Sequence, residues 1–274
     1  MKKIFYSFII ALILNCTLIT EKCLPQWMTY NLPYNGIANT LEFYNLNTGI
    51  SCGHTVFPFF ENIYYTTNSG TYWIKANCPS QLRALIKVQF IDATTIYACG
   101  AENVYAGSLQ KFSSDFNSLP LLLKNKLIHK GIKQFYSEYK SAFIKSTNAG
   151  LSWERATQFD TSTGYIMSIK FFNANTGYAL IDSNPSLSPG FYRTTNAGVN
   201  WQRIALIEPG LYGEDMNFIN MNTGYDCGYK ISEGKGLIYK TTNAGVNWVK
   251  KTFTYTLEIA GINFFNTSVL SFII

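Results

Sequence analysis

Short runs in which apolar and polar residues alternate fill most of the chain, and Asn, Thr and Gly interrupt them at regular intervals. Period-two alternation bounded by such residues predicts half-buried β-strands joined by tight turns. Two patterns recur. The first is an alternating run that ends in Asn-Thr-Gly and resumes as a short apolar strand, at Leu41–Gly53, Ile169–Leu180 and Met216–Gly228. Each reads as a hairpin closed by a three-residue loop, with Gly49, Gly177 and Gly224 expected to supply positive φ. Ile86–Gly100 is a degenerate copy. The second pattern is Ser/Thr-x-Asn-x-Gly-x-x-Trp, which follows an apolar strand. It occurs at Thr66, Asn68, Gly70 and Trp73, and at Ser146, Asn148, Gly150 and Trp153. Two further copies are Thr194, Asn196, Gly198 and Trp201, then Thr241, Asn243, Gly245 and Trp248. Here Asn suits a side chain that accepts backbone N–H groups inside the loop, and Gly suits the left-handed position. The Trp folds back onto its hairpin, so these residues are read as structural.

One unit therefore holds a front hairpin, a loop of variable length and a second hairpin ending on Trp. The intervals are 46 residues from Trp27 to Trp73, 48 from Trp153 to Trp201 and 47 from Trp201 to Trp248. Four strands in about 40–50 residues is the period of a β-propeller blade. The predicted fold is all-β, a β-propeller of four-stranded blades, about five internal blades with a composite blade closing the ring. In that composite blade Gln26–Tyr30 would join the strands at Gly261–Asn266 and Val269–Ile274, removing a bare sheet edge. The irregular interval is the 80 residues from Trp73 to Trp153. It fits one blade with a long insertion, or two blades. Laying Lys111–Leu119 over Lys145–Trp153 splits it into 46 and 34 and favours two, with a degenerate blade around 100–142.

Composition agrees with a strand-rich chain that buries a large core: 47% of its 274 residues are hydrophobic, 16% aromatic and only 14% charged. A surface built on Asn, Thr, Ser and Tyr suits an extracytoplasmic β-protein. Met1-Lys2-Lys3 followed by the apolar run Ile4–Ile19 reads as a secretory signal peptide, here residues 1–22, leaving a propeller over 23–274. An uncleaved anchor fits less well, because the run is short and interrupted by Tyr6, Ser7, Asn15 and Cys16. The expected location is secreted or in a bacterial cell envelope. Losing Lys2 and Lys3 lowers the formal charge from +6 to +4, too mild to argue for nucleic acid, and no other run reaches transmembrane length. Five cysteines lie outside the leader, and an odd number cannot complete a disulfide framework. Cys52, Cys99 and Cys227 each precede Gly at one repeat position and read as small buried apolar residues, while Cys23 and Cys78 could pair in an oxidising compartment.

The repeated turn resembles the Asp-box, or BNR repeat, with Asn in place of Asp. The whole unit, Asn-Thr-Gly-Tyr followed by Lys-Thr-Thr-Asn-x-Gly-x-x-Trp, resembles bacterial propellers related to the photosystem II stability/assembly factor. Sortilin and sialidase propellers are similar more distantly. The resemblance spans residues 26–274 and is weakest between 100 and 140. It implies a propeller, turns that act as clasps away from any active face, and a role in protein–protein interaction. No feature points to a pigment or photosynthetic partner.

Catalytic chemistry finds little footing. A sialidase-like site needs converging arginines, whereas Arg83, Arg155, Arg193 and Arg203 fall on separate or equivalent repeat positions. His54 and His129 have no cysteine or carboxylate at ligand spacing, so neither a metal nor another cofactor is expected. Gly234-Lys235-Gly236 lacks the helix that a phosphate loop needs. The reading is a secreted, non-catalytic interaction or adhesion module whose partner is a protein or a cell-surface polysaccharide. Its candidate binding rim is the set of inter-hairpin loops, marked by His54, Asp182, Lys230 and Lys235. Lys124, Lys126, Lys130 and Lys133 form a basic segment, either facing an anionic partner or solvating an outer strand. The alternatives are a glycan-binding or sialidase-like hydrolase, and a truncated fragment of a larger surface propeller.

Overall fold

Alternating strands joined by short turns fold onto their sequence neighbours, and every sheet among the described residues is such an antiparallel meander. The computed structural model describes residues 36–55, 61–79, 82–103, 139–158, 164–182, 190–206, 208, 211–230, 232–251, 259, 261–266 and 269–273. The leader, the strand at Gln26–Tyr30, Cys23 and Lys124 to Lys133 lie outside them. Among the described residues there are no helices. Blade 1 is β1 (Gly36–Phe43), β2 (Gly49–Thr55), β3 (Glu61–Thr66) and β4 (Ile74–Lys75). Blade 2 is β5 (Leu82–Phe90), β6 (Ile96–Asn103), β7 (Tyr139–Ser146) and β8 (Glu154–Gln158). Blade 3 is β9 (Tyr165–Phe171), β10 (Gly177–Asp182), β11 (Gly190–Thr194) and β12 (Gln202–Leu206). Blade 4 is β13 (Leu211–Phe218), β14 (Gly224–Lys230), β15 (Lys235–Thr241) and β16 (Val249–Lys251). A two-stranded fifth sheet, β17 (Gly261–Asn266) and β18 (Val269–Ile273), follows. In each complete blade the strands pair in chain order, and the first strands of successive sheets lie against one another as the inner wall of a β-propeller.

The interval from Trp73 to Trp153 is one blade, not two. β6 pairs directly with β7, Ile96 opposite Ser146 and Asn103 opposite Tyr139, so residues 104–138 are an insertion between the second and third strands. Among the described residues the complete blades thus number four, where about five internal ones were expected.

A second correction concerns the front glycines. Gly49, Gly177 and Gly224 stand outside the left-handed region. They are glycines because each lies opposite the phenylalanine that ends the first strand. A Cβ there would meet the Cδ1 of Phe43, Phe171 or Phe218 at 2.8, 2.6 and 2.4 Å. The ring occupies the space that the side chain gives up. Blade 2 has Ile96 at this position, opposite Phe90, and Ile96 is fully buried.

The core lies between blades. Tyr97 of blade 2 stacks on Phe171 of blade 3 at 4.4 Å between ring centres, and Trp201 meets Phe143 edge-on at 5.4 Å. The same set repeats one blade on: Tyr178 stacks on Phe218 at 4.7 Å and Trp248 meets Phe191 edge-on at 5.1 Å. Such offset and edge contacts add to the large apolar area that aromatic rings bury. Between blades 1 and 2 the layer is aliphatic, with Ile50, Ile63, Val88 and Ile144 around Trp153. Cys52, Cys99 and Cys227 are fully buried within these layers, where burial pushes their thiols upward in pKa. Thiols in such a setting pack as small apolar groups.

Candidate functional site

A meander of four strands puts the first and third turns at one end of the blade and the second turn at the other. The two ends differ sharply. The first turns (44–48, 91–95, 172–176, 219–223) are five residues long in every complete blade, and the third turns (67–73, 147–153, 195–201, 242–248) are seven. The connections at the opposite end are 56–60, 104–138, 183–189 and 231–234, of 5, 35, 7 and 4 residues. One end is standardised and the other is variable.

The standardised end is held by repeated hydrogen bonds. In the third turn of blade 4, Thr241 Oγ1 donates to Asn243 Oδ1 at 3.1 Å and accepts from Gly245 N–H at 2.9 Å. Asn243 Oδ1 also accepts from Asn247 N–H at 2.9 Å. The other three copies repeat this set within about 0.2 Å, centred on Asn68, Asn148 and Asn196. Two residues, not the glycine alone, take the left-handed conformation: Ser69, Ala149, Ala197 and Ala244 at φ of 59–61°, and Gly70, Gly150, Gly198 and Gly245 at 80–88°. A non-glycine there costs about 1 kcal/mol. It is held because its N–H donates to the first turn of the same blade, as Ala197 does to Asn175 O at 2.9 Å. The first turn is in turn closed by Asn45, Asn173 or Asn220, or by Asp92 in blade 2, whose side chain accepts two backbone N–H groups. Those bonds hold the Asp92 carboxyl down at about 2. The clasp also reaches the preceding blade: Tyr97 Oη donates to Ala197 O at 3.0 Å.

The inner wall is polar. Glu42, Lys87, Lys170 and Asp215, one from the first strand of each complete blade, influence one another electrostatically. Lys87 pairs with Asp215 across two blades. Asp215 Oδ1 further accepts from Ser168 Oγ at 2.7 Å and Met216 N–H at 2.9 Å, and its Oδ2 accepts from Ile262 N–H at 3.3 Å. Glu42 Oε2 accepts Phe90 N–H at 3.2 Å, and burial pushes its carboxyl up to about 7. Gln89 binds Phe171 through both its N–H and its C=O, at 2.7 and 2.9 Å. These side chains tie each first strand to the next. They are not visible as a motif, but lining up the front hairpins on Phe43, Phe90, Phe171 and Phe218 exposes a polar residue before each.

The rim candidates meet different fates. His54, at the end of β2, is buried, its Nδ1 3.3 Å from Asn39 Nδ2, and burial lowers its pKa. Lys230 is drawn into a cluster with Glu208, Glu233, Lys250 and the Tyr239 hydroxyl. Lys235 is exposed, and Asp182 ends β10 at the variable end. The arginines whose side chains are described do not converge: Arg155 binds Glu102 at 2.8 Å on blade 2, while Arg193 and Arg203 are exposed on blade 3. Among the described residues no His, Cys, Asp and Glu group could hold a metal. Asp215 is committed to the wall itself, its Oδ1 taking Lys87, Ser168 and Met216 and its Oδ2 taking Ile262 N–H.

No protein-family model matches the chain, and no curated protein matches it. Solved structures are similar at low identity. A glycoside hydrolase family 74 enzyme from Niastella koreensis superposes with a TM-score of 0.52 at 15% identity, over 78% of this chain and 30% of that one. YCF48 from Cyanidioschyzon merolae gives 0.51 at 14%, over 88% of this chain and 64% of that one. YjhT gives 0.50 at 13%, over 78% and 69%. The chain therefore spans about a third of the hydrolase and under two thirds of YCF48. At such identities the likeness is one of fold alone, and the fold is a β-propeller of four-stranded blades.

Proposed function

We propose that the chain is a non-catalytic propeller that binds a protein or a polysaccharide through the end of its blades opposite the clasps, as a secreted interaction module of Asp-box type. The observation that carries this is the contrast in connections: fixed lengths of five and seven residues at one end, 4 to 35 at the other. Connections freed from structural duty are where binding specificity accumulates. The scattered arginines favour binding over hydrolysis, although propellers of this architecture include both hydrolases and YCF48.

The test has two arms. Incubation with xyloglucan and sialosides should release no product, and turnover would overturn the reading. In a binding screen against immobilised polysaccharides and proteins, retention should fall on Lys235→Glu at the variable end and survive Val199→Ser and Val246→Ser on the clasps. Loss through the clasp variants alone would contradict it. Secretion is checked by the N-terminal sequence of exported protein, expected to start near residue 23.

A further inference from the structure

The clasp end carries apolar side chains that its turns do not need. In the third turns of blades 2 to 4 the residue after the left-handed glycine is Leu151, Val199 or Val246, exposed to 49%, 57% and 55%. In the first turns the middle residue is Leu46 in blade 1 and Met221 in blade 4, exposed to 90% and 49%. The hydrogen bonds that close these turns run through Asn, Asp, Ser and Thr side chains and through backbone, so the apolar side chains are surplus to the clasp. Exposed apolar residues scattered singly need no explanation. These occupy matching positions of successive blades and so share one end of the propeller.

The same turns are almost without charge. The chain has 22 Lys and Arg and 16 Asp and Glu, yet the first and third turns of the four complete blades hold only Asp92. That carboxylate is engaged by the N–H groups of its own turn, at Thr94 and Thr95. What remains is Asn, Thr, Ser and small apolar groups on rigid loops. The cores of protein interfaces are depleted of charge in the same way.

We propose that the clasp end is a self-association face, on which a second copy of this chain docks clasp end to clasp end. At a formal charge of +6, two copies repel wherever like-charged surfaces meet, and turns that hold no Lys or Arg let them approach at least cost. Two-fold pairing sets a patch against its own copy. This one is complementary to itself: apolar groups meet apolar groups, and Asn amides and Thr hydroxyls both donate and accept. Its size fits too. The eight turns expose 29 residues, and a standard interface takes about 20–30 from each partner. A lipid surface fits less well, because no Lys or Arg stands on these turns to meet anionic headgroups. A glycan fits less well because the exposed rings, Tyr44 and Tyr72, are confined to blade 1. Pairing here leaves the variable end free, so the proposal stands independently of the binding role above.

The test is sedimentation velocity of the purified protein from about 1 to 100 µM, with no ligand present. A concentration-dependent dimer is expected, and it should persist in about 1 M NaCl because charges do not hold it. Val199→Lys combined with Val246→Lys sets like charges against one another across the two-fold and should weaken pairing at least about tenfold. Both side chains are exposed, so the circular dichroism spectrum should stay that of the parent. Lys235→Glu, at the opposite end, should pair as the parent does. A monomer throughout, a dimer that survives the double variant, or one that salt or Lys235→Glu dissociates would overturn the proposal. So would a monomer that sediments with lipid vesicles or insoluble polysaccharide through these same valines, since the face would then have another occupant.

Discussion

At the scale of single residues, the same amino acid does different work at different places. Gly245 is left-handed, and a Cβ on it would stand 1.9 Å from Phe191 Cε1 in the preceding blade. Gly234, also left-handed, has nothing within 4 Å. Gly245→Ala combines strain with overpacking and should cost about 3–5 kcal/mol, whereas Gly234→Ala should cost only about 1 kcal/mol. Urea unfolding of the two variants separates these contributions. Glu42 gives a pH dependence of fixed sign. Its folded value of about 7 lies above its ordinary value of 4.5, so the folded state holds the extra proton between the two. Stability from this group is full below about 4.5 and is lost as pH rises through about 7. Glu42→Gln, which keeps an acceptor for Phe90 N–H, should raise stability by about 1–3 kcal/mol at pH 8 and leave it unchanged at pH 4. Thermal melts at the two pH values check this.

At the scale of elements, the strands and turns were legible because they repeat in sequence with fixed spacing. What the glycines do was not. Gly177 looks like a turn residue beside Asn175 and Thr176, yet its requirement comes from Phe171 across the ladder. The degenerate copy follows from this: a hairpin that needs no positive φ at that position can carry Ile96 opposite Phe90. In the clasp the left-handed alanines were missed, since nothing in a lone Ala signals φ near 60°. Asn243 tests the element. Asn243→Ala removes the acceptor for Thr241 Oγ1 and Asn247 N–H and should cost about 1–2 kcal/mol. Asn243→Asp keeps both bonds and should stay within about 0.5 kcal/mol of the parent. A cost for Asp equal to that for Ala would show that the side-chain oxygen is not what holds the turn.

At the scale of the molecule, the propeller is specified by its clasp end, its aromatic layers and its inner wall. Each of these links one blade to the next: Gly198 against Phe143, Gln89 against Phe171, Ser168 against Asp215. The blade count was misjudged because an insertion as long as most of a blade lengthens one interval without altering the strands on either side. The polar inner wall was hidden for a related reason: its residues are 40 or more positions apart and meet only when the first strands come together. Among the described residues none of these links lies at the variable end, so its largest connection should be dispensable. Replacing residues 104–138 with a short Gly-Asn turn joins β6 to β7 through pairs that already run from Ile96–Ser146 to Asn103–Tyr139. Shortening the loop this much should stabilise the fold by about 1–2 kcal/mol through loop-closure entropy. The excised protein is expected to melt in one cooperative transition at or above the parent temperature, with the Trp153 and Trp201 fluorescence unchanged. Loss of cooperative folding, or exposure of those tryptophans, would mean that 104–138 belongs to the blades and would contradict the account.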